Sequence, residues 1–481
     1  MNPNRKTKVV MVVAPLVLVA VALVLPTEAR GEESPQPPAA APEGAEEMPV
    51  EGPIPIPTDA EAIEPALPSR AATGFSTTAE GAIEIDVYGG VRDLYKIAVP
   101  AGLGQPGAAQ QVQGITTRDL EISSLFKVLD PRSFLADPED EGMGFDVDAW
   151  RAVGAQGVVK SNARVVGNKV QLEMRLYETA RGRSPVLNKT YNGAETELRS
   201  MVHRFVNEMI DYFTGEPGVF GSRIIFSRSL GRQHKEIFSV EMDGNDLQGH
   251  TNNGGINVLP AWGPGGGVFY TSFINGWAQL FRVGRHEPVL GEAGLNMGVA
   301  FASGGGRMAV VLSHDGNSDI FLANADGSGA RNITNHPAID VSPSWSPDGS
   351  QIAFVSNRHG TPQIFVMDAG GGEARRVTFA GSYNQTPSWC PRGDTPLIAF
   401  TGADGGTFDI FTVNSGGGGI TRLTQAQGRN SDPAWSPDGR LIAFWSSRGG
   451  IHLMTPEGLN QQLILRGHAE TLRWGTVGIG R

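Results

Sequence analysis

Asn257, Asn296, Asp340, Asn384 and Asn430 each stand five residues ahead of an aromatic side chain, respectively Trp262, Phe301, Trp345, Trp389 and Trp435. A sixth position of the same kind, Ala469 before Trp474, breaks the set. Four carboxamides and one carboxylate in equivalent places offer donors and acceptors but no nucleophile, so their chemistry is recognition or cation binding. Beside them Leu295, Val341, Gln385, Ser431, Asp432 and Glu470 would complete a lining, and the apolar Leu295, Ile339 and Tyr383 would anchor a protein partner. A second reading needs no partner. Asn and Asp tolerate left-handed backbone and bond their own backbone in turns, so the same pattern would arise from turn geometry alone.

Signatures of catalysis are absent from the sequence. There is no GxSxG elbow, no HExxH, no phosphate-binding loop and no cysteine pair for zinc. Cys390 is the single cysteine, so no internal disulfide can form. His203 lies on an apolar helical stripe with no second His or carboxylate at ligand spacing, which reads as a structural residue and not a metal ligand. No catalytic residue, metal site or cofactor is predicted. With a formal net charge of -11 and scattered basic residues, the chain lacks a nucleic-acid footprint.

The elements that must position the ring form a repeat. Asp340 to Ser356 reads DVSPSWSPDGSQIAFVS, in which Ser346-Pro347-Asp348-Gly349 fits a type I turn and Ile352-Ala353-Phe354-Val355 a buried strand. The strand after the turn recurs six times, from Ile224-Ile225-Phe226 to Leu441-Ile442-Ala443-Phe444, and so does a third strand such as Gln363-Ile364-Phe365. Units of about forty residues with short strands and Gly-rich turns are propeller blades. The first blade lacks a preceding Trp strand, while the chain ends on Leu472-Arg473-Trp474, so the last strand is predicted to complete the first blade. Thr251, Thr334, Thr378 and Thr424 each stand eleven residues before the next Trp, which fixes the length of the blade-to-blade connection. In a propeller that connection approaches the central channel, placing the ring at one mouth.

Ahead of the repeats, Arg5, Lys6 and Lys8 precede an apolar run from Val9 to Leu25, with Thr27 and Ala29 at a cleavage site. Residues 1–29 read as an export signal peptide, with an uncleaved anchor as the other possibility. Residues 30–80, rich in Pro, Ala and Glu, read as a disordered linker. Residues 81–215 read as a small α/β domain and 216–481 as an all-β six-bladed β-propeller. In the small domain the expected elements are a strand with Ile83, Ile85 and Val87, a strand Tyr95–Val99, and a helix over 117–126. A hairpin turning at Gly167-Asn168 and a helix over 195–213 follow.

Signal peptide, α/β domain and repeats reading DVSPSWSPDGSQIAF, NQTPSWCPRGDTPLIAF and SDPAWSPDGRLIAF together resemble the TolB family, periplasmic propellers of the Tol-Pal envelope system. Thr214-Gly215-Glu216-Pro217-Gly218-Val219-Phe220 is similar to that family's interdomain linker, and Gly81 to Pro100 to its opening strands. The resemblance implies a monomeric, non-enzymatic scaffold in the periplasm. It implies binding of the peptidoglycan-associated lipoprotein Pal at the mouth that carries Asn257, Asn296, Asp340, Asn384 and Asn430. It also implies contact with the inner-membrane protein TolA through the strand of Ile83, Ile85 and Val87. Two departures stand out: a His frequent in the family six residues before the third-blade aromatic is Leu295 here, and the TolA-type strand follows the long acidic linker. The alternative reading is a propeller enzyme or ligand-binding protein with a small molecule or Ca2+ in the channel, for which Asp340 and Asp432 are the only hint.

Overall fold

A computed structural model describes residues 76–77, 83–84, 94–135, 137–291, 293–314, 316–404 and 406–478. The signal peptide, the linker over 30–80 apart from strand Ser76–Thr77, and Ile85 and Val87 fall outside the described residues. Everything described lies in one compact unit that begins at Thr73.

The front domain is a mixed sheet with helices packed on it. Strand Tyr95–Ala98 pairs in parallel with Phe126–Val128 and with Gly157–Val166, which forms a hairpin with Lys169–Glu178 and leads on to Leu187–Ala194. Gly167 takes φ 64° at the hairpin, as its turn requires. The expectation of a helix over 117–126 is corrected: the helix runs Pro106–Ser123, and Phe126 opens a strand. Pro106 supplies the preset φ of a helix start, and Ala108, Ala109, Val112 and Ile115 form its buried face. Ala, Thr116, Asp119 and Ser123 dilute that face, so its apolar period is faint in the sequence. The second long helix, Leu198–Thr214, buries the stripe Leu198, Met201, Val202, Phe205, Met209 and Phe213 and stops at Gly215, whose φ of 73° makes a left-handed cap.

Six antiparallel sheets follow among the described residues, each with the strand after the SPDG-type turn in second place. Five have four strands, and the second has three, Asn257–Trp262, Val268–Ser272 and Gln279–Arg282. The C-terminal strand Glu470–Gly475 pairs with Arg223–Gly231 of the first blade, closing the ring as the repeat offset predicts. At the turn end, Gly349 takes φ 68° and Ser346 Oγ both donates to Asp348 Oδ1 (2.6 Å) and accepts from the Gln351 amide (2.9 Å).

The repeated Trp residues work across blades. Trp345 Nε1 donates to the Ala300 carbonyl (2.9 Å), Trp435 Nε1 to Ser388 O (3.0 Å) and Trp262 Nε1 to Arg223 O (3.2 Å). Each indole therefore covers apolar surface while its N–H fastens an inner strand to the neighbouring blade.

Front domain and propeller share one apolar cluster, in which Phe205 and Phe213 join Phe220, Ile224, Met242 and Leu441. Asn207 exchanges two bonds with the Phe220 backbone (2.8 and 3.0 Å), and Arg440 donates to Thr214 Oγ1 (2.8 Å) and Glu216 Oε2 (3.2 Å).

Deleting 471–481 removes the strand that covers the first blade's inner edge. The truncated chain should lose cooperative melting of the whole propeller in calorimetry. An unchanged transition would contradict ring closure.

Candidate functional site: the propeller mouth

Antiparallel register defines which residues share the mouth end. Asn430 lies opposite Ser446, Ser446 opposite Gly450, and Gly450 opposite Arg466, so the inner-strand start, the hairpin after the second strand and the exit of the outer strand gather at one end of the blade. The same holds for Asn257 opposite Ser272 and Asp340 opposite Ser356. Asn257, Asn296, Asp340 and Asn430 therefore open their inner strands at this end, and Asn384 is the second residue of Tyr383–Trp389.

Their side chains, however, are turned into the seams between blades: Asn257, Asp340 and Asn430 are 0 % exposed, and Asn296 and Asn384 2 %. Asn257 Nδ2 donates to Glu236 Oε2 (2.8 Å), Asn384 Nδ2 to Gln363 Oε1 (2.8 Å) and Asn430 Nδ2 to Asp409 Oδ1 (2.9 Å). In each case the acceptor lies within the first three residues of the third strand of the preceding blade. The conserved-length connection supplies a third member, because Thr251, Thr378 and Thr424 donate to those same carboxyl or amide groups. Each Thr Oγ1 also accepts from the next backbone amide, that of Ile237, Ile364 or Ile410. A Thr–acceptor–Asn staple thus joins neighbouring blades.

Two seams vary the staple. At Asp319 the Thr334 hydroxyl is in place (3.0 Å), but Asp340 is itself an acid and turns to Arg358 (3.1 Å). Burial pushes the Asp340 carboxyl above its ordinary pKa, against the pull of Ser356 and Arg358. Asn296 bonds the backbone carbonyls of Ala278 and Gly294.

The left-handed backbone expected at ring positions occurs two residues further on. Leu259, Gly298, Ser342, Thr386, Asp432 and Thr471 have φ of 52°, 58°, 57°, 49°, 56° and 54°. Every innermost strand shifts register there. A bulge in the innermost strand of each blade is the shared device, and five of these six residues carry a Cβ in a strained region.

The remaining predicted lining divides by burial. Gln385, Ser431 and Asp432 are buried, while Leu295, Val341 and Tyr383 are part-exposed. Asp432 accepts from Ser431 Oγ (2.8 Å), its Oδ1 has no bonding partner among the described residues, and burial pushes its carboxyl up to about 6. Arg473 and Glu470 are its charged neighbours.

Sequence reasoning missed the large apolar groups at this end. Ile274 (49 % exposed), Trp277 (50 %) and Phe379 (69 %) stand on mouth-end loops, and Leu230 (52 %) near the mouth end of strand Arg223–Gly231. Ile274 and Trp277 tip the hairpin after Val268–Ser272, and Phe379 follows the staple residue Thr378 with Arg376 stacked 5.0 Å from its ring. The signal was available, since a Trp in the Gly-rich turn Ile274-Asn275-Gly276-Trp277 lies off the blade repeat.

An α/β domain followed by a closed six-bladed propeller, with no helix among the described residues long and apolar enough to cross a membrane, defines a two-domain propeller class. Residues 83–184 match the TolB amino-terminal domain and residues 210–408 the TolB beta propeller domain, in that order. A Tol-Pal system protein TolB of Anaeromyxobacter dehalogenans is 44 % identical over 262 residues, 52 % of this chain and 59 % of that protein. One of Desulfosudis oleivorans is 38 % identical over 234 residues, 47 % of this chain and 53 % of that protein. The chain thus spans somewhat over half the length of the curated relatives it matches. The crystal structure of TolB from Acinetobacter baumannii shares the fold, with TM-score 0.69, 22 % identity, and 79 % of this chain and 96 % of that one covered.

Thr424→Val leaves the Ile410 amide and one Asp409 oxygen short of a partner, and should cost about 1–3 kcal/mol in denaturant unfolding. Asp432 adds a pH signature. Its folded pKa lies above the ordinary 3.8, so the native chain holds a proton that the unfolded chain releases, and stability falls as pH rises from about 4 to about 6. Asp432→Asn should therefore raise the melting temperature at pH 7.5 more than at pH 4.5. A pH-independent difference would count against the buried carboxyl.

Proposed function

We propose that the chain is a non-enzymatic scaffold of the Tol-Pal system that docks a Pal-like peptidoglycan-associated lipoprotein on the propeller mouth. The observation that carries this reading is the exposed set Leu230, Ile274, Trp277 and Phe379 on the rim of one mouth, within a chain whose residues match both TolB domains. Exposed aromatic groups on a rigid support are what interface anchors require. The ring residues Asn257, Asn296, Asp340, Asn384 and Asn430, with Gln385, Ser431 and Asp432, hold the loops. Contact passes to Leu295, Val341, Tyr383 and the rim. The periplasm is the compartment this role demands.

A TolA-like inner-membrane protein is the second partner, engaged through the strand of Ile83, Ile85 and Val87 by edge addition. Ile83–Glu84 pairs antiparallel with Ser76–Thr77. Holding Pal away from peptidoglycan, and changing that hold when TolA engages, would serve outer-membrane integrity and constriction at division.

Titrating the soluble domain of Pal into the full chain by calorimetry tests the mouth. Trp277→Ala and Phe379→Ala should each weaken binding about tenfold or more with melting temperature unchanged, as hot-spot truncations do. Equal affinity in wild type and both variants would remove the mouth from the reading.

A further inference from the structure

The seam between the sixth and first blades differs from the others at the mouth. Its ring slot is Ala469, and the third strand of the sixth blade opens Gly450-Ile451-His452, with no carboxyl or carboxamide to receive a staple. Basic side chains gather there instead. Strand Gln462–Arg466 ends on Arg466, whose neighbour across the sheet is Gly450, and Arg448 tips the hairpin before that glycine. Arg228 stands one residue beyond Ser227, the partner of Glu470, and Arg232 tips the first blade's hairpin. Loop 467–469 crosses from the sixth blade to the first and draws these groups together. Gly467 N donates to the Gly449 carbonyl (2.9 Å), and Trp445 Nε1 donates to the Gly467 carbonyl (3.2 Å). A Cβ at Gly467 would stand 3.2 Å from Arg228 Nη2, and one at Gly449 4.0 Å from Arg466 Nη1. His468 completes the cluster, its ring T-shaped against Trp445 at 5.0 Å.

We propose that this cationic sector of the rim receives an acidic segment of the protein that docks on the mouth, an inference that rests on the docking role itself. Arg228, Arg232, Arg448 and Arg466 have no carboxylate within ion-pair distance among the described residues, and the last three are exposed. Arg448 is braced by neutral acceptors, Ser446 Oγ (3.2 Å) and Gln461 Oε1 (2.6 Å), which leaves its charge uncompensated. The carboxylates described at this end do not offset the cluster. Glu236, Asp340, Asp409 and Asp432 are buried, and Asp319 is bonded by Thr334 and Asn332. Glu470 pairs with Lys235 (2.5 Å) and lies 3.7 Å from His468. Four uncompensated guanidinium groups therefore stand on one sector of the mouth, in a chain whose formal net charge is -11. A planar guanidinium takes a carboxylate through two parallel N–H bonds, and opposed surface charges steer and orient a protein partner. Leu230, two residues before Arg232, and Trp445 add apolar surface beside the charges. The partner is thus apolar where it meets Ile274, Trp277 and Phe379, and rich in Asp or Glu where it meets blades six and one.

Titrating the soluble domain of Pal into the full chain by calorimetry separates this inference from the docking role. In wild type the affinity should fall about tenfold or more between about 50 and about 500 mM NaCl. At the lower salt the double variant Arg448→Glu/Arg466→Glu should bind at least about tenfold more weakly, with melting temperature unchanged and little salt dependence left. Arg448→Gln/Arg466→Gln, which introduces no acid, serves if the reversal disturbs the fold, with a several-fold loss expected. Arg331→Glu/Arg375→Glu, on outer strands of the third and fourth blades, should leave the affinity within about twofold. Binding that is lost in Trp277→Ala yet indifferent to salt and to the Arg448 and Arg466 changes overturns this inference and leaves the docking role standing. Equal weakening by the two charge reversals also overturns it, because the effect is then one of net charge. Absence of any Pal binding overturns the docking role, and this inference with it.

Discussion

A blade of this propeller is apolar on both faces, and the only surface able to cover it is the next blade. Phe354 and Phe365 bury against Ala309 and Ile320 of the preceding sheet, while Ala353 and Ile364 from the same two strands bury with Ile398 and Phe400 of the following one. Such packing is non-directional and would tolerate sliding. Polar groups fix the alignment. At one end the indole N–H of Trp345 and Trp435 reaches the neighbouring inner strand, and that of Trp262 the second strand of the first blade. At the other the Thr–acceptor–Asn staple ties neighbouring blades, and its Asn bonds are buried. An unpaired group there is costly, which is why the staple constrains the seam more than its modest net energy suggests.

The mouth inherits its shape from those staples. Because three of the connections are tied at their Thr and again at their Asn, the loops between are held at both ends, and the bulges in all six inner strands turn them in a common way. A frame of this kind loses little entropy when a partner binds, leaving the exposed Trp277, Ile274 and Phe379 to supply contact. The two domains are joined by different physics: a shared apolar cluster, the Arg440 and Arg392 contacts to Glu216, and the buried charges around His203.

Much of this was legible in the sequence because the repeat is strict. Six recurrences of the turn-strand unit yield the blade number, and the orphan strand at Trp474 yields the closure. The ring spacing was also legible, yet its direction was not. What decides it is a residue on the preceding blade, with Glu236, Gln363 and Asp409 each 21 residues before Asn257, Asn384 and Asn430 and 15 before Thr251, Thr378 and Thr424. That constancy is a sequence signal, visible once the Thr and Asn positions are aligned together. The first helix was misplaced because its buried face mixes Ala108, Ala109, Thr116, Asp119 and Ser123 with the larger apolar residues. The His203 surroundings had no signal at all, since Asp119 lies 84 residues away and meets it only through the packing of two helices.

Hydrogen exchange on the full chain, alone and with the soluble domain of Pal, tests most directly whether a rigid stapled mouth is the docking surface. The staple amides of Ile237, Ile364 and Ile410 should exchange only through global unfolding in both states, while added protection appears in the 273–278 hairpin and the 379–383 loop. Protection confined to the front domain or to the Trp end of the channel, with the mouth loops unchanged, would contradict the account.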